Sequence, residues 1–499
     1  MYTETSQEQV EELLHKAAAA FQYLKQRSIA DRAALMYAIA DKIEGLGDEL
    51  ITAAMEESRL PQARLVGEKA RTIFQWRSYA DHIKDGACFE ARIDTAIADR
   101  TPPKPDLRKI KVGVGPVVVF GASNFPFAFS TGGGDSASAI AAGCPVILKA
   151  HPGHLKTSTL VAEAITSAVR EAGWPDGVFS HVYGNSNEAG AYLVQHPLIK
   201  SVAFTGSFKG GKALFDLANR RDEPIPVFAE MGSVNPVFVL PEKLAANPQE
   251  FAGQYLASLT LGVGQFCTNP GVVVALDGED LAAFKSALSE AVSACQPAPM
   301  LHEGIAKAYQ SNSEKMLTQT AVAVVGKAAQ SAAEGQGAAV LAETNAKALL
   351  ANEQLLEEVF GPFGLVVACA DKEEMLAVAE QLKGQLTITV AAMETDAAEY
   401  AALINVLQDK CGRLLYNGMP TGVEVCLAMQ HGGPFPATTD SRFTSVGPDA
   451  VQRFLRPLSF QNWPDDLLPD ALKNANPLGI YRTVNNELTK EAVDGSHKQ

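Results

Sequence analysis

The chain has 499 residues, 47% of them hydrophobic, with 42 Lys and Arg against 57 Asp and Glu and a net charge of −15. That balance argues against a nucleic-acid groove, which needs clustered cations, while the length allows roughly two to four domains with ample core. The 7 cysteines, at 88, 144, 267, 295, 369, 411 and 426, are odd in number and form no CxxC pair, so neither a disulfide framework nor a zinc site is expected, and a reducing cytoplasm is.

The first stretch carries acids where a signal peptide carries basic residues. No apolar run approaches the roughly 20 residues that cross a bilayer, so no membrane partner is expected. Residues 5–92 read as helices. Val10, Leu13, Leu14, Ala17 and Phe21 recur at three- and four-residue spacing, Ser28 can cap a second helix, and 56–79 continues the pattern. Prolines crowd residues 91–112, which predicts an excursion or hairpin, either a surface loop or an arm reaching another subunit.

An α/β rhythm follows. Apolar strands at 115–120, 144–148, 178–183, 201–204 and 227–230 alternate with helices, which predicts an open, doubly wound parallel sheet. Ligands of such sheets bind at the carboxyl ends of the strands, where Asn124, Lys149, Gly206 and Glu230 stand. A second block from 236 to about 441 has strands at 237–240, 272–276, 363–368, 386–391 and 413–417, with helices such as 247–261 and 304–322 between them, and an apolar-acidic segment, 340–343 then 355–362, closed by a Gly-Pro turn. The tail from Pro457 reads as loop.

One stretch, SLTLGVGQFCTNPG at 258–271, stands apart. A helix carrying Phe251, Tyr255 and Leu259 breaks at Gly262 and Gly264 and delivers Cys267 onto a turn, either as a nucleophile or as a small buried hydrophobe. The turn from Phe204 to Gly211 follows a strand and opens a helix, a context suited to an anionic pyrophosphate and also to an ordinary joint. Gly113-Val114-Gly115-Pro116 precedes its strand and fails that test. Glu230 is either an exposed carboxylate or a general base raised toward neutrality by burial. Asn124 is either a turn former or an oxyanion donor.

Six separated motifs agree in order over about residues 5–465: Asn124-Phe125-Pro126, Lys149, Phe204-Thr205-Gly206-Ser207, Glu230-Met231-Gly232, Gly264-Gln265-Phe266-Cys267 and Glu358-Val359-Phe360-Gly361-Pro362. Together they resemble the aldehyde dehydrogenase superfamily. Phe120 to Pro126, Gly133 to Ser138, Gln265 to Gly271, Pro420 to Val425 and His431 to Arg442 further resemble its 2-oxoglutarate semialdehyde (2,5-dioxovalerate) dehydrogenases. Long-chain aldehyde dehydrogenases of marine bacteria share part of this set.

The resemblance implies two doubly wound parallel-sheet domains plus an oligomerisation arm. Residues 1–92 and 114–235 form the cofactor-binding domain and 236–441 the catalytic domain. Residues 93–113 and 455–499 supply the arm and C-terminal tail of a homodimer or homotetramer. It implies attack by Cys267 on an aldehyde, an oxyanion held by the Asn124 amide and the Cys267 N–H, and hydrolysis of the thioester by water that Glu230 activates. A base at 230 argues against the coenzyme-A-acylating branch.

The resemblance also gives Gly206, Ser207 and Gly211 the pyrophosphate, Lys149 the adenosine ribose or its phosphate, and Glu358 the nicotinamide ribose, with Phe360 beside it. Ser123 replaces the usual Trp of the cofactor wall. Pro152, flanked by His151 and His154, replaces the acid that repels a 2′-phosphate in many relatives, so NADP is favoured over NAD. No metal is expected. Arg442 and Phe127 are the candidate substrate contacts, Arg442 reading equally as an exposed arginine paired with Asp440. The alternatives are a long-chain or broad-specificity aldehyde dehydrogenase and, in another class, a catalytically silent structural or binding homologue.

Overall fold

Four helices open the fold in a computed structural model that describes residues 2–493: Gln7–Leu24, Ile29–Glu44, Gly47–Ser58 and Gln62–Lys84. Met1 and residues 494–499, parts of the expected cofactor domain and tail, lie outside the described residues. Ser6 and Ser28 cap the first two helices with reciprocal side-chain bonds to the third helical position. The helix expected to run on from 56 breaks instead, because Arg59 turns left-handed (φ 58°) and Pro61 then starts the next helix.

The first parallel sheet runs in the order Phe179–Val182, Val146–Lys149, Val117–Phe120, Ser201–Thr205, Val227–Glu230. Strand 117–120 is buried at every position, as in a sheet covered by helices on both faces. The chain winds outward from that strand in both directions, so a crevice opens at its carboxyl end.

The chain then crosses to a seven-stranded sheet, ordered Ala323–Lys327, Val340–Asn345, Phe363–Cys369, Val272–Leu276, Val237–Val239, Gln385–Ala391, Cys411–Tyr416. Its edge strand 323–327 is antiparallel and absent from the sequence reading, which ran a helix to 322 where Glu303–Leu317 stands. Ala323 and Val324 are exposed there, so no buried face marks the strand.

A third sheet joins distant parts of the chain: Leu455–Gln461, Leu107–Gly113, Arg92–Asp94, Arg482–Val484, Glu487–Thr489. The expected arm and tail therefore pair with each other. The tail read as loop contributes three of these strands, short and half exposed.

Candidate active site

The helix Pro248–Thr260 buries Phe251, Tyr255 and Leu259 and stops beneath three successive left-handed residues, Gly262 (φ 56°), Val263 (φ 58°) and Gly264 (φ 66°). A β-branched residue in that region is strained, so the surroundings must hold the turn. They do so by contact with Gly361, whose carbonyl carbon would lie 2.3 Å from a Cβ built on Gly264. Asn269 Nδ2 donates to the Gly361 carbonyl at 3.2 Å. Asn235 Nδ2 donates to the carbonyls of Cys267 (2.9 Å) and Asn269 (3.0 Å). Cys267 emerges partly exposed, whereas Cys88, Cys144 and Cys369 are buried.

Glu230 ends the last strand of the first sheet, 4% exposed. The segment after His431 runs along that strand's free edge: Met231 N donates to Ala437 O (2.8 Å) and Thr439 N to Ala229 O (3.1 Å). This lays two more groups over the carboxylate. Ser445 Oγ donates to Glu230 Oε2 at 2.6 Å, and His431 Nε2 stands 3.2 Å from Oε1 without the alignment of a hydrogen bond. The same Nε2 lies 3.4 Å from Cys267 Sγ. Thiol, imidazole and carboxylate thus form one cluster, with ligand atoms within 4.8 Å of one another.

The electrostatics divide the work. Burial, then the nearby Glu230 carboxylate, pushes the Cys267 thiol well above its ordinary range, so it rests protonated and needs a base within reach. Burial also pushes Glu230 upward, but His431, Ser445 and Cys267 outweigh it and hold the carboxyl below the usual range. The expected rise toward neutrality is therefore corrected to a fall. Glu230 stays an anion, ready to accept a proton.

Asn124 stands across the thiol loop, its Nδ2 donating to Gln265 O at 3.2 Å. Arg64 Nη2 fixes the Asn124 carbonyl at 2.7 Å, with the guanidinium stacked between Phe125 and Phe266.

The cofactor candidates share the carboxyl edge of the first sheet. Gly206 and Ser207 are exposed at the turn into the helix Phe208–Asn219, where Ser207 Oγ caps Gly210 N at 3.2 Å. A Cβ on Gly211 would meet Met231 Cγ at 2.7 Å, so this glycine lets the helix close onto the strand and is one step removed from any phosphate. The Lys149 side chain forms no ion pair or hydrogen bond among the described residues; burial lowers it, against the weaker pull of Glu4. That cation and the N-terminus of the helix Phe208–Asn219, both at the carboxyl edge of the first sheet, fit a phosphate-bearing dinucleotide.

Ser123 is half-buried. His151 accepts from Gly153 N at 3.1 Å and is pushed down to about 3, by burial first and then by His154, His302 and Lys149. It is uncharged at neutral pH and supplies no cation for a 2′-phosphate. Glu358 and Phe360 border a crevice with Ser233, Gly264 and Asn269. The Glu358 carboxyl packs against Gly232, and burial pushes it up to about 8.

Two expected substrate contacts are corrected. Arg442 is 78% exposed and bound to Asp440 at 2.5 Å, because its turn faces solvent. Phe127 is 1% exposed in the core under the N-terminal helices. Its neighbours Phe125 and Phe129 point the other way, packing with Val423, Val425 and Met429. The sequence reading missed His431 and Ser445, which lie on an aperiodic loop roughly two hundred residues from Glu230 and carry no local pattern.

Comparison with known proteins follows the same lines. The model of the aldehyde dehydrogenase family matches residues 1–444. Alpha-ketoglutaric semialdehyde dehydrogenase 2 of Azospirillum brasilense is 50% identical over 478 residues, covering 96% of this chain and 91% of the relative. Alpha-ketoglutaric semialdehyde dehydrogenase of Acinetobacter baylyi is 45% identical over 492 residues, covering 98% and 93%. The crystal structure of aldehyde dehydrogenase 21 from Physcomitrella patens, in complex with the reaction product succinate, superposes with a TM-score of 0.76 at 18% identity over 92% of this chain and 91% of that one.

Proposed function

The chain belongs to the aldehyde dehydrogenase family, and from that premise we propose that it oxidises 2-oxoglutarate semialdehyde (2,5-dioxopentanoate) to 2-oxoglutarate. The observation that carries the mechanism is Sγ of Cys267, 3.4 Å from His431 Nε2 with the anionic Glu230 behind it. The names of the near relatives support the substrate, and so do three arginines, at 64, 71 and 413, close enough to Cys267 to feel its charge.

As the sulfur attacks the aldehyde carbon, its proton passes to the His431–Glu230 pair. The new oxyanion takes hydrogen bonds from the Asn124 amide and the Cys267 N–H, each such donor worth about 2.7–4 kcal/mol. NAD(P), a cofactor of this family, supplies the hydride acceptor when bound, held by Lys149, Gly206, Ser207, Glu358 and Phe360. Glu230 then takes a proton from water, which attacks the thioester and frees the acid and the thiol.

NADP is favoured over NAD because Pro152 replaces a repelling acid. His151, being neutral, adds no attraction, so the preference is modest. The protein works as a homo-oligomer in the cytoplasm. The third sheet supports an assembly role through Leu107, Leu467 and Leu488, which it or its flanks leave exposed; a stable monomer in sedimentation would remove that part of the reading. The aromatic wall of Phe125, Phe129 and Phe266 favours a second reading, a hydrophobic aldehyde.

Initial rates on 2,5-dioxopentanoate and hexanal, each with NAD and NADP, decide between them, and a preference for hexanal sinks the first. A silent homologue is the third case; unchanged turnover in Cys267→Ser would reject the thiol mechanism outright.

A further inference from the structure

The helix Gln62–Lys84 carries Arg64, Glu68, Arg71 and Gln75 at spacings of four, three and four, one polar stripe on a helix. Three of them brace the loop that bears Asn124. Arg64 holds the Asn124 carbonyl, Glu68 Oε1 accepts from Phe127 N (2.9 Å) and Ala128 N (3.0 Å), and Gln75 Nε2 donates to Ala128 O (3.5 Å). Arg71 braces nothing. Its side chain has no hydrogen-bond partner among the described residues, and its Nε and Nη2 are buried without one.

A guanidinium with unmet buried donors is costly unless an anion completes it. The acid on its own stripe does not do so. Glu68 Oε2 makes no hydrogen bond, and burial raises that carboxyl against ionisation. Tyr79 and Glu424 also face Arg71, and neither takes a hydrogen bond from it. The guanidinium lies 5.4 Å from the centre of the Phe129 ring. That ring stands 6.1 Å from the imidazole of His431, which touches the thiol. Arg71 therefore sits one aromatic ring away from the reacting cluster.

The other cations near Cys267 already bond protein carbonyls, Arg413 keeping only its Nε without a partner. Arg64 is stacked and bonded to Asn124, and Arg413 spends Nη1 on Gly422 O (2.8 Å) and Nη2 on Pro420 O (2.9 Å). We propose that Arg71 receives the distal carboxylate of the aldehyde substrate, in a subsite walled by Phe125, Phe129, Val423 and Val425 with Cys267 at its far end. The assignment rests on the substrate being an anionic aldehyde. It gives the aromatic wall a purpose consistent with that reading: the rings enclose the methylene chain and leave the guanidinium as its cationic terminus.

The test compares 2,5-dioxopentanoate with pentanal, uncharged and of equal length, in wild type, Arg71→Met and Arg71→Lys. In Arg71→Met the ratio of kcat/KM between the two aldehydes falls roughly 10- to 100-fold, the loss expected when a charged hydrogen bond goes, and it falls through KM. Arg71→Lys keeps the charge and lies between. Wild-type preference for dioxopentanoate with both variants losing equally on both aldehydes would make Arg71 a structural group and overturn the assignment. Wild-type preference for pentanal would instead remove the anionic substrate, and the assignment with it. If Arg71→Met does not fold, the Lys variant carries the comparison, and an unchanged ratio there together with an unchanged KM for dioxopentanoate overturns the proposal.

Discussion

Ser445 holds Glu230 from one side while His431 faces it from another: Oγ donates to Oε2 at 2.6 Å, and Nε2 stands 3.2 Å from Oε1. The hydroxyl stabilises the charged carboxyl, which its surroundings hold below the ordinary 4.5. Ser445→Ala should therefore raise the Glu230 pKa and move the acid limb of the kcat–pH profile to higher pH. The sign for stability follows. A depressed carboxyl stabilises the fold above its unfolded pKa, and that contribution is lost as pH falls through the native value. The wild-type advantage in Tm over Ser445→Ala should exist at neutral pH and vanish in acid; equal Tm differences at every pH would contradict this.

His431→Ala removes an imidazole nitrogen 3.4 Å from a thiol that is otherwise held protonated. Alkylation of Cys267 by iodoacetamide at neutral pH should slow, and kcat should drop on the order of 100-fold, the typical scale for general-base loss. An alkylation rate matching wild type would show that the thiol ionises without the imidazole.

Cys267, His431 and Glu230 also set a trap for a thiophilic cation. Their S–N and N–O separations of 3.4 Å and 3.2 Å need little adjustment to become the edges of a zinc tetrahedron. Those edges are about 3.3–3.6 Å for bonds of ~2.0–2.3 Å. Low concentrations of Zn²⁺ should inhibit turnover, EDTA should restore it, and His431→Ala should be inhibited less. Equal sensitivity of that variant would place the metal elsewhere.

Glu358, pushed up to about 8, binds its proton in the fold at pH values where the unfolded chain has lost it. Stability therefore falls as pH rises from about 4.5 toward 8, by at most about 1.4 kcal/mol per unit. Glu358→Gln mimics the neutral form and should flatten that slope in a Tm–pH series while raising KM for the dinucleotide. A variant that keeps the wild-type slope would exonerate Glu358.

At Gly264 an added methyl would sit 2.3 Å from the Gly361 carbonyl carbon, and the residue is left-handed besides. Gly264→Ala should cost about 4 kcal/mol or more, among the largest single-residue losses, and move Cys267 away from Asn124. A well-folded, fully active variant in urea titration and rate assays would refute this account of the turn.

The fold was readable wherever burial left a period. The strands at 117–120 and 272–276 are solidly apolar, and the helices of the first ninety residues carry clean stripes. Strand 323–327 was not readable, because an exposed edge keeps no apolar face. Cys267, Glu230 and Asn124 stood out by residue type at strand and helix ends. His431, Ser445 and Arg71 did not: a histidine on a loop, a serine among serines and an arginine on a polar helix acquire meaning only from what they meet. Arg442 was open between a tunnel cation and an exposed partner of Asp440 for the same reason, since a lone arginine in sequence does not say which way it points, and the second reading holds.

The third sheet ties the strand Arg92–Asp94 in parallel register to Arg482–Val484, and Thr483 N closes onto Ala91 O at 2.9 Å. During synthesis this makes the early strand wait. One edge pairs early with Leu107–Gly113, but the ribosome must deliver nearly four hundred further residues, and both active-site sheets can form, before the partner of its other edge exists. Until then an unpaired strand edge is open to any neighbouring nascent chain, so the last strands act as a final latch on assembly.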